Sequence, residues 1–140
     1  MLAALDLASG KMFYRIKDRK RAREFLGLLK ALRARWPGEK LYLIADNFST
    51  HKHATVKAWC ADNQVELVFL PTYASWLNWI ECEFAALRYF ALNGTDHQSH
   101  PEQDAAIGAY IRWRNKRAKP KTNFAPNSRI REPGYTIKAA

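Results

Sequence analysis

Hydrophobic residues near the start of the chain fall into two short runs separated by turn-forming residues. The first run spans Leu2–Leu7 and the second spans Lys11–Lys17, where apolar and polar positions alternate. A period of two is typical of β-strands, and Ala8, Ser9 and Gly10 supply a turn between the runs. The pattern predicts a β-hairpin.

A helical pattern follows between Arg19 and Trp36, and Pro37 with Gly38 ends it. Its apolar residues recur at intervals of three and four, and basic residues separate them. The apolar positions are Ala22, Phe25, Leu26, Leu28, Leu29 and Leu32. We expect an amphipathic helix whose outer face is basic.

The middle of the chain contains two predicted strands with a helix between them. Leu41–Asp46 is a near-continuous apolar run that ends in a carboxylate, which is typical of a buried central parallel strand. Ser49 or Thr50 then caps a helix that runs to about Asp62, and Val65–Leu70 forms the next strand. Strands that alternate with helices predict an α/β fold.

Two further helices complete the predicted domain. Asn78 caps a helix that extends to about Leu92 and is closed by Gly94, and Pro101 opens the last helix. The apolar positions of this last helix are Ala105, Ala106, Ala109, Tyr110 and Trp113. Residues 1–119 are therefore expected to form one domain, and residues 120–140 a basic tail that contains prolines.

The composition of the 140 residues suits a globular protein, because 48% are hydrophobic. The formal net charge of +10 favours a polyanionic partner such as nucleic acid, whereas the alternative is a merely basic protein. The two cysteines are too few for a disulfide framework, and no zinc-ligand spacing is present. No apolar run is long enough to cross a membrane, so we expect a cytoplasmic protein.

Two acidic residues each have a structural and a chemical interpretation. Asp46 ends a predicted strand, where α/β sheets place ligands, but a strand-end Asp also accepts backbone hydrogen bonds in turns. Glu81 lies three residues after Asn78, so it either completes a helix capping box or joins Asp46 in binding a hard cation. The residues alone leave both interpretations open.

Two motifs around these carboxylates resemble the catalytic core of bacterial insertion-sequence transposases of the mariner superfamily. The first is Ile44–Asn47 followed by His51 and Lys52, and the second is Phe69–Glu81. In that family the second Asp and the Glu are about 34 residues apart. The same number of residues, 34, separates the two carboxylates here.

The resemblance covers residues from about 5 to about 115, and Trp79 stands where many relatives have a proline. It implies a ribonuclease-H-like mixed sheet with flanking helices, and phosphoryl transfer on DNA at transposon ends and target. In such enzymes two Mg²⁺ or Mn²⁺ ions are held by two Asp and one Glu. Asp46 and Glu81 are thereby implied as catalytic metal ligands, with Asn47 and His51 as supporting residues.

The first Asp of the family lies on an initial strand upstream of the strand that resembles Leu2–Leu7. We therefore expect the sheet to lack this central strand, and Asp6 is either a third ligand or a hairpin-end Asp near a turn. The exposed strand edges predict marginal stability, rearranged pairing or completion by another chain, and a homodimer is possible. The alternative to an active enzyme is an inactive remnant that binds DNA through its basic surface.

Two basic segments are candidates for binding the DNA backbone, although each is equally consistent with a solvated face. The residues are Arg19, Lys20, Arg21 and Arg23 in the first segment, and Arg112, Arg114, Lys116, Arg117, Lys119 and Lys121 in the second. Tyr73, Trp76 and Trp79 are candidates for stacking on unpaired bases, with core packing as the alternative. The histidines expected on the solvated surface are His53, His97 and His100.

Overall fold

The computed structural model describes residues 1–72 and 78–122, which form a mixed α/β fold. The strands are β1 (Leu2–Leu5), β2 (Met12–Arg15), β3 (Leu41–Ala45) and β4 (Val65–Phe69). The helices are α1 (Ala22–Arg35), α2 (Ala54–Asp62), α3 (Ile80–Leu87) and α4 (His100–Lys116). A 3₁₀ turn at Ser49–Lys52 precedes α2, and a π-helical turn at Arg88–Leu92 continues α3. None of the helices in these ranges is both long and apolar enough to span a bilayer.

The predicted β-hairpin is confirmed by the antiparallel pairing of β1 with β2, in which Leu2 faces Arg15 and Leu5 faces Met12. The turn is closed by the backbone N–H of Gly10, which donates to the Asp6 carbonyl at 2.7 Å. Gly10 has a φ of +71°, a left-handed conformation that side chains disfavour. The glycine is therefore required by the turn.

Helix α1 begins at Ala22, so Arg19 and Lys20 precede the helix that was predicted to contain them. Basic residues are unfavourable in a first helical turn because the helix dipole is positive there. Glu24 offsets this, since its carboxylate accepts from the Arg21 backbone N–H at 3.2 Å and from the Arg21 guanidinium at 2.7 Å. The predicted apolar face is confirmed, and its buried residues are Phe25, Leu28, Leu29 and Leu32.

Strands β3 and β4 form a parallel pair, with Leu41 opposite Val65 and Ala45 opposite Phe69. Within the described residues this pair and the hairpin are separate two-stranded sheets. Tyr42 and Ile44 are exposed, so the prediction of a buried central strand is wrong for one face of β3. Successive side chains of a strand point to opposite faces, and α1 and α2 cover only one of them.

The helix predicted to follow Ser49 or Thr50 is divided into two parts. A 3₁₀ turn occupies Ser49–Lys52, and α2 starts only at Ala54. His53 caps α2, because its Nδ1 accepts the backbone N–H of Thr55 at 3.3 Å. His53 is exposed as expected, but it also satisfies a free amide at the start of the helix.

Two hydrophobic clusters hold the elements together. The hairpin core joins β1 and β2 to α3 and α4, and its buried members are Met12, Ile80, Leu87, Ala91, Ile107 and Ile111. The α1–α2 core packs these two helices on β3 and β4, and its buried members are Phe25, Leu29, Val56, Cys60 and Val65. Cys60 is a buried thiol, whereas Cys82 is exposed.

Helix α4 buries a different stripe from the predicted one. Ile107, Gly108 and Ile111 face the hairpin core, whereas Trp113 is exposed. Gly108 permits this approach, because a Cβ atom there would lie 2.8 Å from the Tyr14 hydroxyl. The helix begins where expected, with the Ser99 hydroxyl accepting the Glu102 backbone N–H, as a capping residue does.

The predicted tail, residues 120–140, lies mostly outside the described residues. Its described start packs on the hairpin, where the backbone N–H of Lys121 donates to the Leu7 carbonyl at 2.8 Å. A Cβ on Gly10 would lie 1.9 Å from the Lys119 carbonyl oxygen, so the two segments are in close contact.

Candidate active site

Asp46 follows the last residue of β3, at the carboxyl end of the parallel pair. Its Oδ1 accepts the backbone N–H of Phe48 at 3.2 Å and lies 2.9 Å from His51 Nδ1. Its Oδ2 has no hydrogen-bond partner among the residues in ranges 1–72 and 78–122. The side chain is 40% exposed, so one oxygen is fixed by the protein and the carboxylate remains accessible.

Two phenylalanine rings pack against the ring of His51. The Phe25 ring lies 4.2 Å away between centroids, and the Phe48 ring meets it edge-on at 5.7 Å. The His51 side chain is only 15% exposed, which separates it from the exposed His53 and His100, whereas His97 is only partly exposed, unlike the solvated residue that was expected. This packing orients Nδ1 toward Asp46, so His51 positions the carboxylate.

Asn47 links the ends of both parallel strands. Its Nδ2 donates to the Leu70 carbonyl at 2.5 Å, and the Leu70 backbone N–H donates to the Ala45 carbonyl at 3.0 Å. This geometry orders the loop that follows β3. It fixes the backbone from which Asp46 projects.

Glu81 lies in the first turn of α3 and is exposed. Its backbone N–H donates to the Asn78 carbonyl at 3.0 Å, but its carboxylate has no hydrogen bond or ion pair with any described residue. The capping box of Asn78 and Glu81, one of the two interpretations of Glu81, is therefore not formed there, and Trp79 instead of the predicted Asn78 occupies the N-cap position. Tyr73 and Trp76, the candidates for base stacking beside this helix, lie outside the described residues.

Asp6 is fully engaged in the hairpin turn. Its carboxylate accepts the backbone N–H groups of Ala8 at 3.1 Å and Ser9 at 3.3 Å, and the Ser9 hydroxyl at 2.5 Å. Both oxygens are thus used within three residues. This is the hairpin-end role that was considered beside a role as third ligand.

The basic segments are divided by the structure into exposed and buried members. Arg19, Lys20, Arg21 and Arg23 are exposed, as are Arg112, Lys116, Arg117 and Lys119. Arg114 differs from the expectation of a DNA contact, because its side chain is only 11% exposed and its guanidinium pairs with Glu83 at 2.5 Å. It also donates to the Gly10 carbonyl at 2.7 Å, which makes it a structural residue.

Glu83 was missed by the sequence interpretation, although it forms the centre of a partly buried ion cluster. Lys121 Nζ lies 3.0 Å from its Oε1, in addition to the bond from Arg114. Burial by itself raises the pKa of Glu83, but the hydrogen bonds from Arg114 and Lys121 outweigh it and the net pKa is lowered. One sequence signal could have identified this cluster: Arg114 lies at helical spacing from Ile107 and Ile111, so it is on the side of the helix that faces the core.

Asp46 at the end of β3 and Glu81 in the first turn of α3 each offer a carboxylate oxygen that has no other partner in the described ranges, and such oxygens suit a hard cation. A complete site is not found there. No group of three or more His, Cys, Asp or Glu side chains in those ranges is arranged to hold a metal ion. Two carboxylates alone would bind such an ion weakly.

Comparison with known proteins gives a family and a fold. A family model described as DDE superfamily endonuclease matches residues 1–103. The structure is similar, with a TM-score of 0.60 and 14% identity, to a chain of the simian T-cell lymphotropic virus intasome in complex with the PP2A regulatory subunit B56 gamma. The match covers 75% of this chain and 39% of that chain, and it confirms the predicted ribonuclease-H-like fold. No curated protein matches the sequence.

Proposed function

Because this chain belongs to the DDE superfamily of endonucleases, we propose that it is a DNA transposase catalytic domain of the insertion-sequence, mariner-like kind. The proposed ligands of a divalent cation, Mg²⁺ or Mn²⁺, are Asp46 and Glu81. When bound, such ions make water or a DNA 3′-hydroxyl more nucleophilic and stabilise charge on the leaving oxygen. The proposed substrates are transposon ends and target DNA.

One observation carries the proposal: Asp46 holds a carboxylate at the carboxyl end of β3 with one oxygen fixed and the other unpaired within the described ranges. Such a strand end is where open α/β sheets place their ligands. His51 Nδ1 lies 2.9 Å from the fixed oxygen, Asp46 Oδ1, and the His51 ring packs on Phe25. We assign His51 as a positioning residue for the carboxylate.

The test compares nicking of supercoiled plasmid by the full chain in Mg²⁺, in Mn²⁺ and in EDTA. We expect nicking with either ion and none in EDTA. Asp46→Asn and Glu81→Gln should each lower the rate at least about 100-fold, because each removes a charged oxygen ligand. His51→Ala should lower it about 10- to 100-fold, as loss of a group that orients a ligand does.

The matched control is Asp62→Asn, which alters an exposed carboxyl group at the end of α2 and should leave the rate within about twofold. Calorimetric titration with Mn²⁺ supplies a second readout, in which Asp46→Asn and Glu81→Gln weaken binding and Asp62→Asn does not. The proposal fails if the chain never nicks DNA with either ion, or if Asp46→Asn nicks at the unchanged rate.

A second candidate function is DNA binding without catalysis. It is favoured by the finding that the described residues contain no cluster of three metal-ligating side chains. In this case the chain binds DNA in a strongly salt-dependent way, through the exposed basic residues, and never nicks it. Asp46→Asn and Glu81→Gln would then leave the DNA affinity unchanged.

A further inference from the structure

An exposed aromatic stripe crosses the π-helical turn and α4, remote in sequence from Asp46. The ring centroids of Tyr89 and Phe90 are 4.9 Å apart, and those of Phe90 and Tyr110 are 6.1 Å apart with planes at 14°. The Trp113 ring follows at 5.9 Å from Tyr110. We call these four residues the aromatic stripe.

Of the four rings, only Tyr110 packs against the hairpin core, and the other three are exposed. Leu87 and Ala91 point inward on either side of Tyr89 and Phe90, which are 69% and 68% exposed. Trp113 is 51% exposed, since other residues of α4 fill the core. Contiguous solvent-exposed aromatic rings are typical of a binding surface, because isolated exposed rings are common on proteins and contiguous ones are not.

The surroundings of the stripe are positively charged. The Arg117 guanidinium lies 4.7 Å above the Trp113 ring, a cation–π contact. From residue 105 to residue 121 the chain has no acidic residue and six basic ones, which are Arg112, Arg114, Lys116, Arg117, Lys119 and Lys121. The stripe therefore combines aromatic faces with cations.

A cavity of about 360 Å³ adjoins the stripe between Trp113 and residues 117–121. The carboxylate that lines this cavity, Glu83, is neutralised by Arg114 and Lys121. The remaining charged side chains at the rim, Arg117 and Lys119, are positive and exposed. An anionic group that enters here meets attraction and no uncompensated negative charge.

We propose that the aromatic stripe and its basic flank bind single-stranded DNA, with bases stacked on the rings and phosphates beside Arg117 and Lys119. Unpaired strands offer the free base faces that such rings need, whereas a duplex keeps these faces stacked inside. A second copy of this chain fits less well, because a symmetric contact would oppose two sets of basic residues. The choice of DNA rests on the proposed function, but the surface acts independently of Asp46 and Glu81.

The experiment measures the anisotropy of a labelled 20-nucleotide oligo-dT bound by the full chain in EDTA, so that nicking plays no part. We expect Phe90→Ala and Trp113→Ala to weaken binding about 10-fold each, the loss of one stacked base. Trp113→Phe keeps a ring and should retain most of the affinity. Tyr42→Ala, which removes an exposed aromatic ring from β3, is the matched control and should stay within about twofold.

Salt dependence separates stacking from charge. Lys119→Ala should reduce the slope of log affinity against log salt by about 0.7, and Phe90→Ala should leave that slope unchanged. Binding of a 20-base-pair duplex should change less than about twofold in Phe90→Ala, because its base faces are covered. Failure of plasmid nicking together with these results would reject the catalytic proposal and keep this one.

Several outcomes overturn the inference. Unchanged oligo-dT affinity in Phe90→Ala does so even if Trp113→Ala fails to fold. Equal losses for duplex and single strand point to a general phosphate surface instead. Sedimentation velocity that shows a dimer in the parent chain and a monomer in Phe90→Ala assigns the stripe to self-association, and tighter binding of oligo-rU than of oligo-dT assigns it to RNA.

Discussion

The hairpin core and the α1–α2 core are stabilised in different ways. Around the hairpin core, polar side chains of α4 bind the backbone of the strands: Asn115 accepts the Met12 N–H at 2.9 Å and donates to the Met12 carbonyl at 2.8 Å. In the α1–α2 core the buried side chains are apolar, and the ion pair of Lys40 with Glu66 lies at the exposed rim. The hairpin region therefore depends on directed hydrogen bonds, and the α1–α2 region depends on burial of apolar side chains.

This difference has a physical cause in the length of the hairpin. A two-stranded hairpin with four residues in each strand is barely stable in water without further support. Helix α4 supplies that support with directed bonds, because Arg114 reaches the Gly10 carbonyl and Asn115 pairs with Met12 as a neighbouring strand would. Directed bonds define one position, whereas apolar packing tolerates small shifts.

The largest expected effect comes from removing the centre of the ion cluster. Glu83→Ala leaves the largely buried Arg114 without its charged partner, so the free energy of unfolding should fall by about 3–5 kcal/mol. Glu66→Ala breaks the exposed pair with Lys40 and should cost about 1 kcal/mol or less. Urea unfolding of both variants measures this, and equal losses would show that the two regions do not differ.

A smaller effect is expected in the hairpin turn. Gly10→Ala places a residue with a side chain in the left-handed region, which lowers the free energy of unfolding by about 1–2 kcal/mol. The new Cβ atom also clashes with the Lys119 carbonyl, which costs about 1–3 kcal/mol more. Gly38→Ala has a similar φ of +80° with no atom within 4 Å, so only the first cost applies. Thermal unfolding distinguishes them, and matching losses would contradict close packing of residue 119 on the turn.

The smallest effect concerns pH and the start of α1. The Arg21 guanidinium lowers the pKa of Glu24 from its ordinary value of 4.5 to about 2. A carboxyl group with a lowered folded-state pKa stabilises the fold above pH 4.5, and this stabilisation is lost as the pH falls toward 2.

Urea midpoints between pH 7 and pH 2.5 measure this contribution. Glu24→Gln should be less stable than the parent chain at pH 7, and the difference should shrink below pH 4.5. Glu39→Gln, at an exposed carboxyl group, should follow the parent chain throughout. A constant difference between Glu24→Gln and the parent at every pH would contradict the role given to Arg21.

Sequence periodicity predicted the hairpin, α1 and both parallel strands because each has a strong local pattern. It was wrong about which stripe of α4 is buried, since Ala109 and Trp113 recur at helical spacing as clearly as Ile107 and Ile111 do. Two apolar stripes on one helix are equivalent until the neighbours are known. In the structure the stripe of Ile107 and Ile111 packs on the hairpin core, and Gly108 leaves room for the Tyr14 side chain to approach the helix.

The candidate site was predicted in part. The motif identified Asp46, Asn47 and His51 together, but the contact between the Asp46 carboxylate and His51 Nδ1 needed the 3₁₀ turn that brings the two residues together. Glu83 and Arg114 are 31 positions apart, so no local pattern connects them. Their pairing depends on the packing of α3 against α4.

The sequence by itself determined the order of strands and helices, the basic character of the chain and the family motif, because each is encoded in neighbouring residues. The tertiary structure decided which apolar stripes are buried, which arginine is structural and which aromatic rings face the solvent. These outcomes depend on contacts between distant segments, where side chains compete for one limited interior. Trp113 is exposed because isoleucine side chains from the same helix fill the space beside the hairpin.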